Sequence, residues 1–83
     1  MDNILFVDLC KRQVVQYFRN KKHEYLTDSD VDVVRLTKVL QNNKALLSSI
    51  YNDGMYFEIT YDGDKDKLYI DAYQKENTME VEL

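Results

Sequence analysis

Residues 56–73 read YFEITYDGDKDKLYIDAY, two alternating runs of apolar and polar side chains on either side of a GDKD loop. A period of two is the mark of a half-buried strand. Phe57, Ile59, Leu68, Ile70 and Ala72 then fall on one side, and Tyr56, Glu58, Tyr69, Asp71 and Tyr73 on the other. A four-residue loop at 63–66 pairs Asp62 with Lys67, Ile59 with Ile70 and Phe57 with Ala72. Register matters because a slip of one residue turns every side chain to the opposite face.

Working upstream, ALLSSIYNDGMYFEITY (45–61) holds Asp53-Gly54, a strong hairpin signal between alternating runs. Taken as a two-residue loop, it pairs Ile50 with Phe57 and Tyr51 with Tyr56. Downstream, TMEVEL (78–83) alternates strictly, and a loop at 74–77 pairs Ala72 with Met79, Ile70 with Val81 and Leu68 with Leu83. These registers gather the large aliphatic residues, Leu47 excepted, on one face. The other face receives three rows: Tyr51, Tyr56, Tyr73 and Thr78; Ser49, Glu58, Asp71 and Glu80; Leu47, Thr60, Tyr69 and Glu82.

Residues 31–40 admit two readings. Thr27 or Ser29 could cap a helix with Val33, Leu36 and Leu40 on one side. Five of the nine residues from 31 to 39 are β-branched, which favours a strand, and QNNK (41–44) supplies turn chemistry after it. We read a strand. Residues 3–19 read as a helix, with Phe6, Val7, Cys10, Val14, Tyr17 and Phe18 in one stripe and Asp8, Arg12, Gln16 and Arg19 opposite. Asp2 suits its N-cap, and the basic RNKK (19–22) suits its C-terminal end. Leu5 and Leu9 lie off the stripe, one turn apart; they either touch a second element, which is the expectation, or form a small exposed patch. His23 falls in a polar connection and reads as a solvated loop residue.

The predicted architecture is α+β: one domain over 1–83, with the helix packed on one face of an antiparallel β-meander of four or five strands. The strands are expected at about 31–40, 45–51, 55–61, 67–73 and 78–83. A chain of 83 residues has room for one small core.

Charge is uneven. The net value is −4. Residues 1–26 carry Lys11, Arg12, Arg19, Lys21 and Lys22 against Asp2, Asp8 and Glu24, whereas residues 27–83 hold six bases against twelve acids. The acidic part argues against general binding of phosphate backbones. No apolar run approaches the roughly 20 residues of a membrane helix, and MDNILFVDLCKRQ (1–13) lacks the pattern of a signal peptide. Cys10 is the single cysteine, so no internal disulfide forms, a reducing cytoplasm is expected, and the residue reads as a small buried hydrophobe.

Sites for chemistry are scarce. Asp62, Asp64 and Asp66 begin like a calcium loop, but Lys67 stands where glycine is needed and Tyr73 where glutamate is needed. One His and one Cys cannot make a zinc site or a nucleophilic pair. With Gly54 and Gly63 the only glycines, no phosphate-cradling loop exists. The expectation is a protein that is not an enzyme and uses no cofactor or metal.

The run LQNNKALLSSIYNDGMYFEITYDGDKDKLYIDAY (40–73) resembles an uncharacterised family of small proteins encoded by phages and prophages of Gram-positive bacteria. The likeness is carried by LQNNKALL, DGMY, the GDK loop and DAY, and spans about residues 31–75. It implies an accessory protein acting inside the bacterial host, and it implies no catalytic residues. The function expected is binding of a host or phage protein through Tyr51, Tyr56, Glu58, Tyr69, Asp71, Tyr73 and Glu80, with tyrosines supplying rigid amphipathic contact area. The alternatives are nucleic-acid binding through Lys11, Arg12, Arg19, Lys21 and Lys22, or a homodimer on the tyrosine face.

Overall fold

A computed structural model describes residues 1–51, 54–76 and 79–82. Helix α1 (Asn3–Tyr17) is capped by Asp2, whose side chain accepts from the Ile4 amide at 3.4 Å. It runs into one wider π-helical turn, Phe18–Lys22, closed by His23 in the left-handed region at φ 55°. A 3-10 turn, Asp28–Asp30, follows. Here Thr27 caps a turn rather than a helix: its amide donates to Asp30 Oδ2 at 2.8 Å and its hydroxyl donates to the same oxygen at 3.1 Å.

Four strands come next: β1 (Val31–Val39), β2 (Asn42–Ser49), β3 (Met55–Asp62) and β4 (Lys67–Gln74). They form one antiparallel sheet in the order β1-β2-β3-β4. The expected α+β architecture is present, and 31–40 is indeed a strand, ending where Leu40 turns at φ 55°.

The core forms between α1 and the inner side of the sheet. Phe6, Cys10, Val14 and Phe18 from the helical segment meet Val31, Ala45, Leu47, Met55, Phe57 and Ile59, all buried. Tyr17, Phe18 and Phe57 make a cluster of edge-to-face rings with centroids 5.0–5.8 Å apart. Asn43 is a fully buried polar member: its Nδ2 donates to the Met1 carbonyl at 3.0 Å and to Asn3 Oδ1 at 3.2 Å, tying β2 to the helix start. The expectation for Leu5 fails, since it is 60% exposed, as is its neighbour Ile4 at 75%.

The hairpin of β3 and β4 has the expected register, with Asp62 opposite Lys67, Ile59 opposite Ile70 and Phe57 opposite Ala72. The hairpin of β2 and β3 does not. Leu47 lies opposite Phe57 and Ser48 opposite Tyr56, three residues away from the register of a two-residue loop. Strand β2 stops at Ser49 and β3 starts at Met55, so the connection is longer than Asp53-Gly54; Asp53 itself lies outside the described residues. A shift of three is odd and swaps the faces of β2.

Charge and volume explain the choice. The expected register, carried one residue beyond the predicted strand start at 45, would have turned Lys44 toward the helix side, where a buried ammonium is costly. The observed one places the small Ala45 and Ser49 there and admits Leu47 to the core. Ile50, released from the core, is 49% exposed. Two substitutions test this register by chemical denaturation. Leu47→Ala should lose about 2–5 kcal/mol, whereas Ile50→Ala should stay within about 1 kcal/mol.

A fifth strand at 78–83 is not formed by Met79–Glu82, which are exposed and join no strand; Thr78 and Leu83 lie outside the described residues. The reason lies in the reach of the helix. It packs chiefly over β1, β2 and the 3-10 turn, so the inner side of β4 is poorly covered. Ile70 is 42% exposed although its partner Ile59 is fully buried. Met79 and Val81 would find no buried face there to extend.

Candidate functional site

On the side of the sheet away from the helix, β3 and β4 present Tyr56 opposite Tyr73, Glu58 opposite Asp71 and Thr60 opposite Tyr69. Strict alternation along both strands produces this arrangement, because each outward residue follows one committed to the inner side. Tyr56 is 37%, Tyr69 45% and Tyr73 52% exposed. Five of the seven expected partner-binding residues therefore share one face.

The other two do not join them. Tyr51 lies beyond the end of β2, its amide donating to Ser49 Oγ at 3.1 Å, because the register shift ends the strand first. Glu80 lies in the exposed segment outside the sheet, because no fifth strand forms. The expected row of Ser49, Glu58, Asp71 and Glu80 is thus replaced by Arg35, Leu46, Glu58 and Asp71. Ser49 itself is buried on the helix side.

The reversal of β2 brings Lys44 to this face, where Arg35 of β1 lies opposite Leu46. Lys44 Nζ lies 3.2 Å from Glu58 Oε1, with both side chains substantially exposed. Such a pair contributes about 0–1 kcal/mol, but it fixes the polarity of the surface. Arg35 and Lys44 mark one half, and Asp71 with the three tyrosines marks the other. A shallow depression beside the two bases is lined by Arg35, Thr37, Lys44, Ala45, Leu46 and Glu58. Sequence reasoning missed Lys44 and Arg35; the signal available was the cost of placing Lys44 beneath a helix.

The remaining candidates are dispersed. Arg12, Arg19, Lys21 and Lys22 are exposed and Lys11 half-buried, spread from the middle of α1 to the π turn. The Arg19 guanidinium stands 5.3 Å from the centroid of the Tyr25 ring. Burial pushes the Cys10 thiol up to about 12, so it stays protonated at neutral pH. Among the described residues no group of three His, Cys, Asp or Glu side chains is placed to hold a metal ion. Nor, among them, is any helix long and apolar enough to cross a membrane.

At the tip of the β3–β4 hairpin, the Tyr61 hydroxyl donates to Asp66 Oδ1 at 2.7 Å. That bond, followed by partial burial and the negative charges of Asp66 and Asp62, raises the Tyr61 phenol above its ordinary value. The bond exists only with the phenol protonated. Its stabilisation is therefore complete below the ordinary tyrosine range and is lost as pH rises through the raised value. Asp66→Asn should lower the Tyr61 ionisation toward the ordinary value in an ultraviolet titration. The loop should keep its shape, since asparagine also accepts the left-handed φ of 52° at this position.

Fold and face together define a small two-layer α+β protein whose open sheet displays tyrosines and carboxylates to solvent. Residues 7–83 match the model of a Family of unknown function (DUF6275), and the chain belongs to that family. Neither a curated protein nor a solved structure was found to match it.

Proposed function

We propose that this protein acts by binding another protein through Tyr56, Glu58, Tyr69, Asp71 and Tyr73, without catalysing a reaction. The observation that carries this reading is the placement of Glu58 directly opposite Asp71 between tyrosine-bearing rows on an uncovered sheet face. Like charges opposite one another cost a sheet roughly 0.2–1 kcal/mol, which the exposed Lys44–Glu58 pair offsets in part. Exposed tyrosines beside carboxylates suit a basic protein surface: the rings supply contact area and the acids supply charge complementarity.

The partner class is a host or phage protein with a basic surface that otherwise receives nucleic-acid phosphates, which the two carboxylates imitate. The setting is the cytoplasm of a Gram-positive bacterium carrying a phage or prophage, where the chain serves as an accessory protein; this rests on the resemblance of residues 40–73. Affinity capture from such a host, followed by measured binding of the recovered partner, tests the proposal. The double variant Glu58→Lys, Asp71→Lys should lose at least tenfold in affinity, and Tyr73→Ala severalfold. Equal affinity of wild type and both variants would end it.

A second reading, nucleic-acid binding by Arg12, Arg19, Lys21 and Lys22, draws on their exposure from the middle of α1 to the π turn. It predicts a gel shift at low salt that weakens steeply as salt rises. No shift at low salt removes it.

A further inference from the structure

We infer that two copies of this chain join along the open edge of β4, continuing the four-stranded sheet across a two-fold axis at Ile70. The inference does not rest on the partner-binding reading, because edge pairing leaves the tyrosine face open.

The sheet has two edges, and they differ. The β1 edge is interrupted by a bulge between Val33 and Arg35, and its exposed stretch carries Arg35 and Lys38. Bulges and charges of this kind are how proteins prevent edge-to-edge association. Strand β4 has neither bulge nor proline. Its register with β3 runs unbroken from Lys67 to Gln74, and among the described residues no strand lies on its outer side.

The phase of the backbone selects the groups on offer. The Lys75 amide donates to the Gly54 carbonyl at 2.6 Å, which directs residue 75 toward β3. In an antiparallel ladder this direction alternates. The N–H and C=O groups of Leu68, Ile70 and Ala72 therefore point to the outer edge.

Those three residues are self-complementary. With Ile70 opposite its own copy, Leu68 meets Ala72, Tyr69 meets Asp71 and Lys67 meets Tyr73. The inner side of the pairing is apolar throughout, and on the outer side each Asp71 faces a phenol. A register centred on Asp71 sets two carboxylates against each other, which disfavours it. A centre at Tyr69 sets Lys67 opposite Asp71 and one at Ala72 sets Asp71 opposite Tyr73, but both shorten the overlap within β4. The Ile70-centred pairing also shields the apolar residue that the helix leaves 42% exposed.

Sedimentation velocity on the full chain, from micromolar to millimolar concentration, should show the mass rising from 9.9 kDa toward twice that value. Hydrogen exchange over the same series should slow at Leu68, Ile70 and Ala72 and stay unchanged along β1. Ile70→Lys sets two ammonium groups opposite each other and should hold the chain monomeric. Ala72→Pro removes an outward N–H without touching the ladder to β3 and should do the same, with circular dichroism confirming that both variants fold. A chain that stays monomeric at every concentration overturns the inference. So does a dimer whose protection lies at β1 or around Ile4 and Leu5. The wild-type exchange data decide the matter should either variant fail to fold.

Discussion

Phe57→Ala should unfold most of this protein near room temperature, or at least remove the greater part of its denaturation midpoint. Phe57 is fully buried, and its ring packs edge to face on Tyr17 at 5.0 Å and Phe18 at 5.7 Å. Truncating such a side chain costs about 3–5 kcal/mol, from lost transfer energy and the cavity left behind. A chain of this size has only a few kcal/mol to lose. Tyr56→Ala is the control. Its ring stands one residue away on the opposite face and is 37% exposed, so the change should stay within roughly 1 kcal/mol. Urea melts followed by circular dichroism would separate the two. Equal losses would mean that β3 does not present one face to the helix and the other to solvent.

The second large effect is expected at Gly63→Ala. The backbone of Gly63 lies against the β1–β2 turn, its amide donating to Asn42 Oδ1 at 3.2 Å. A Cβ at this position would collide with the Gln41 carbonyl oxygen and come within 2.9 Å of the Gln41 Cβ. The obstacle is backbone, so no rotamer change relieves it, and the two hairpin tips must separate. Overpacking of this kind costs about 1–3 kcal/mol, and the upper end is expected here. Lys65→Ala in the same loop should be nearly neutral. The two glycines thus serve different needs: Gly54 supplies a backbone at φ 78°, whereas Gly63 supplies an absent side chain. A wild-type melt for Gly63→Ala would mean that the two tips are not in contact.

The face that binds in our proposal depends on both features. Phe57 and Ile59 hold β3 to the helix and so turn Tyr56, Glu58 and Thr60 outward. Gly63 lets the β3–β4 hairpin tip lie against the β1–β2 turn, at the end of the β2–β3 ladder that sets Lys44 3.2 Å from Glu58. Destabilising variants of either kind should weaken partner binding in proportion to the unfolded fraction. Charge reversal at Glu58 and Asp71 should weaken it with the fold intact.

Much of this was legible in the residues themselves. Phe6, Cys10, Val14 and Phe18 recur at helical spacing and are the buried stripe. The 56–73 stretch set its own register, because a short loop left one pairing that kept Phe57, Ile59 and Ile70 together. Tyr56, Glu58, Tyr69, Asp71 and Tyr73 followed from that pairing without further information. Local periodicity and turn length suffice wherever the two sides of a strand differ clearly in polarity.

Where they do not differ, only the tertiary structure decides. In KALLSSI (44–50) both parities carry aliphatic residues, Ala45 and Leu47 against Leu46 and Ile50, so alternation cannot say which set is inside. The helix above β2 settles it, by accepting the small Ala45 and Ser49 and excluding Lys44. The strict alternation of TMEVEL likewise carries no information about whether a covered face exists for it to join. The helix does not reach that far, so Glu80 lies away from the sheet and β4 remains an edge.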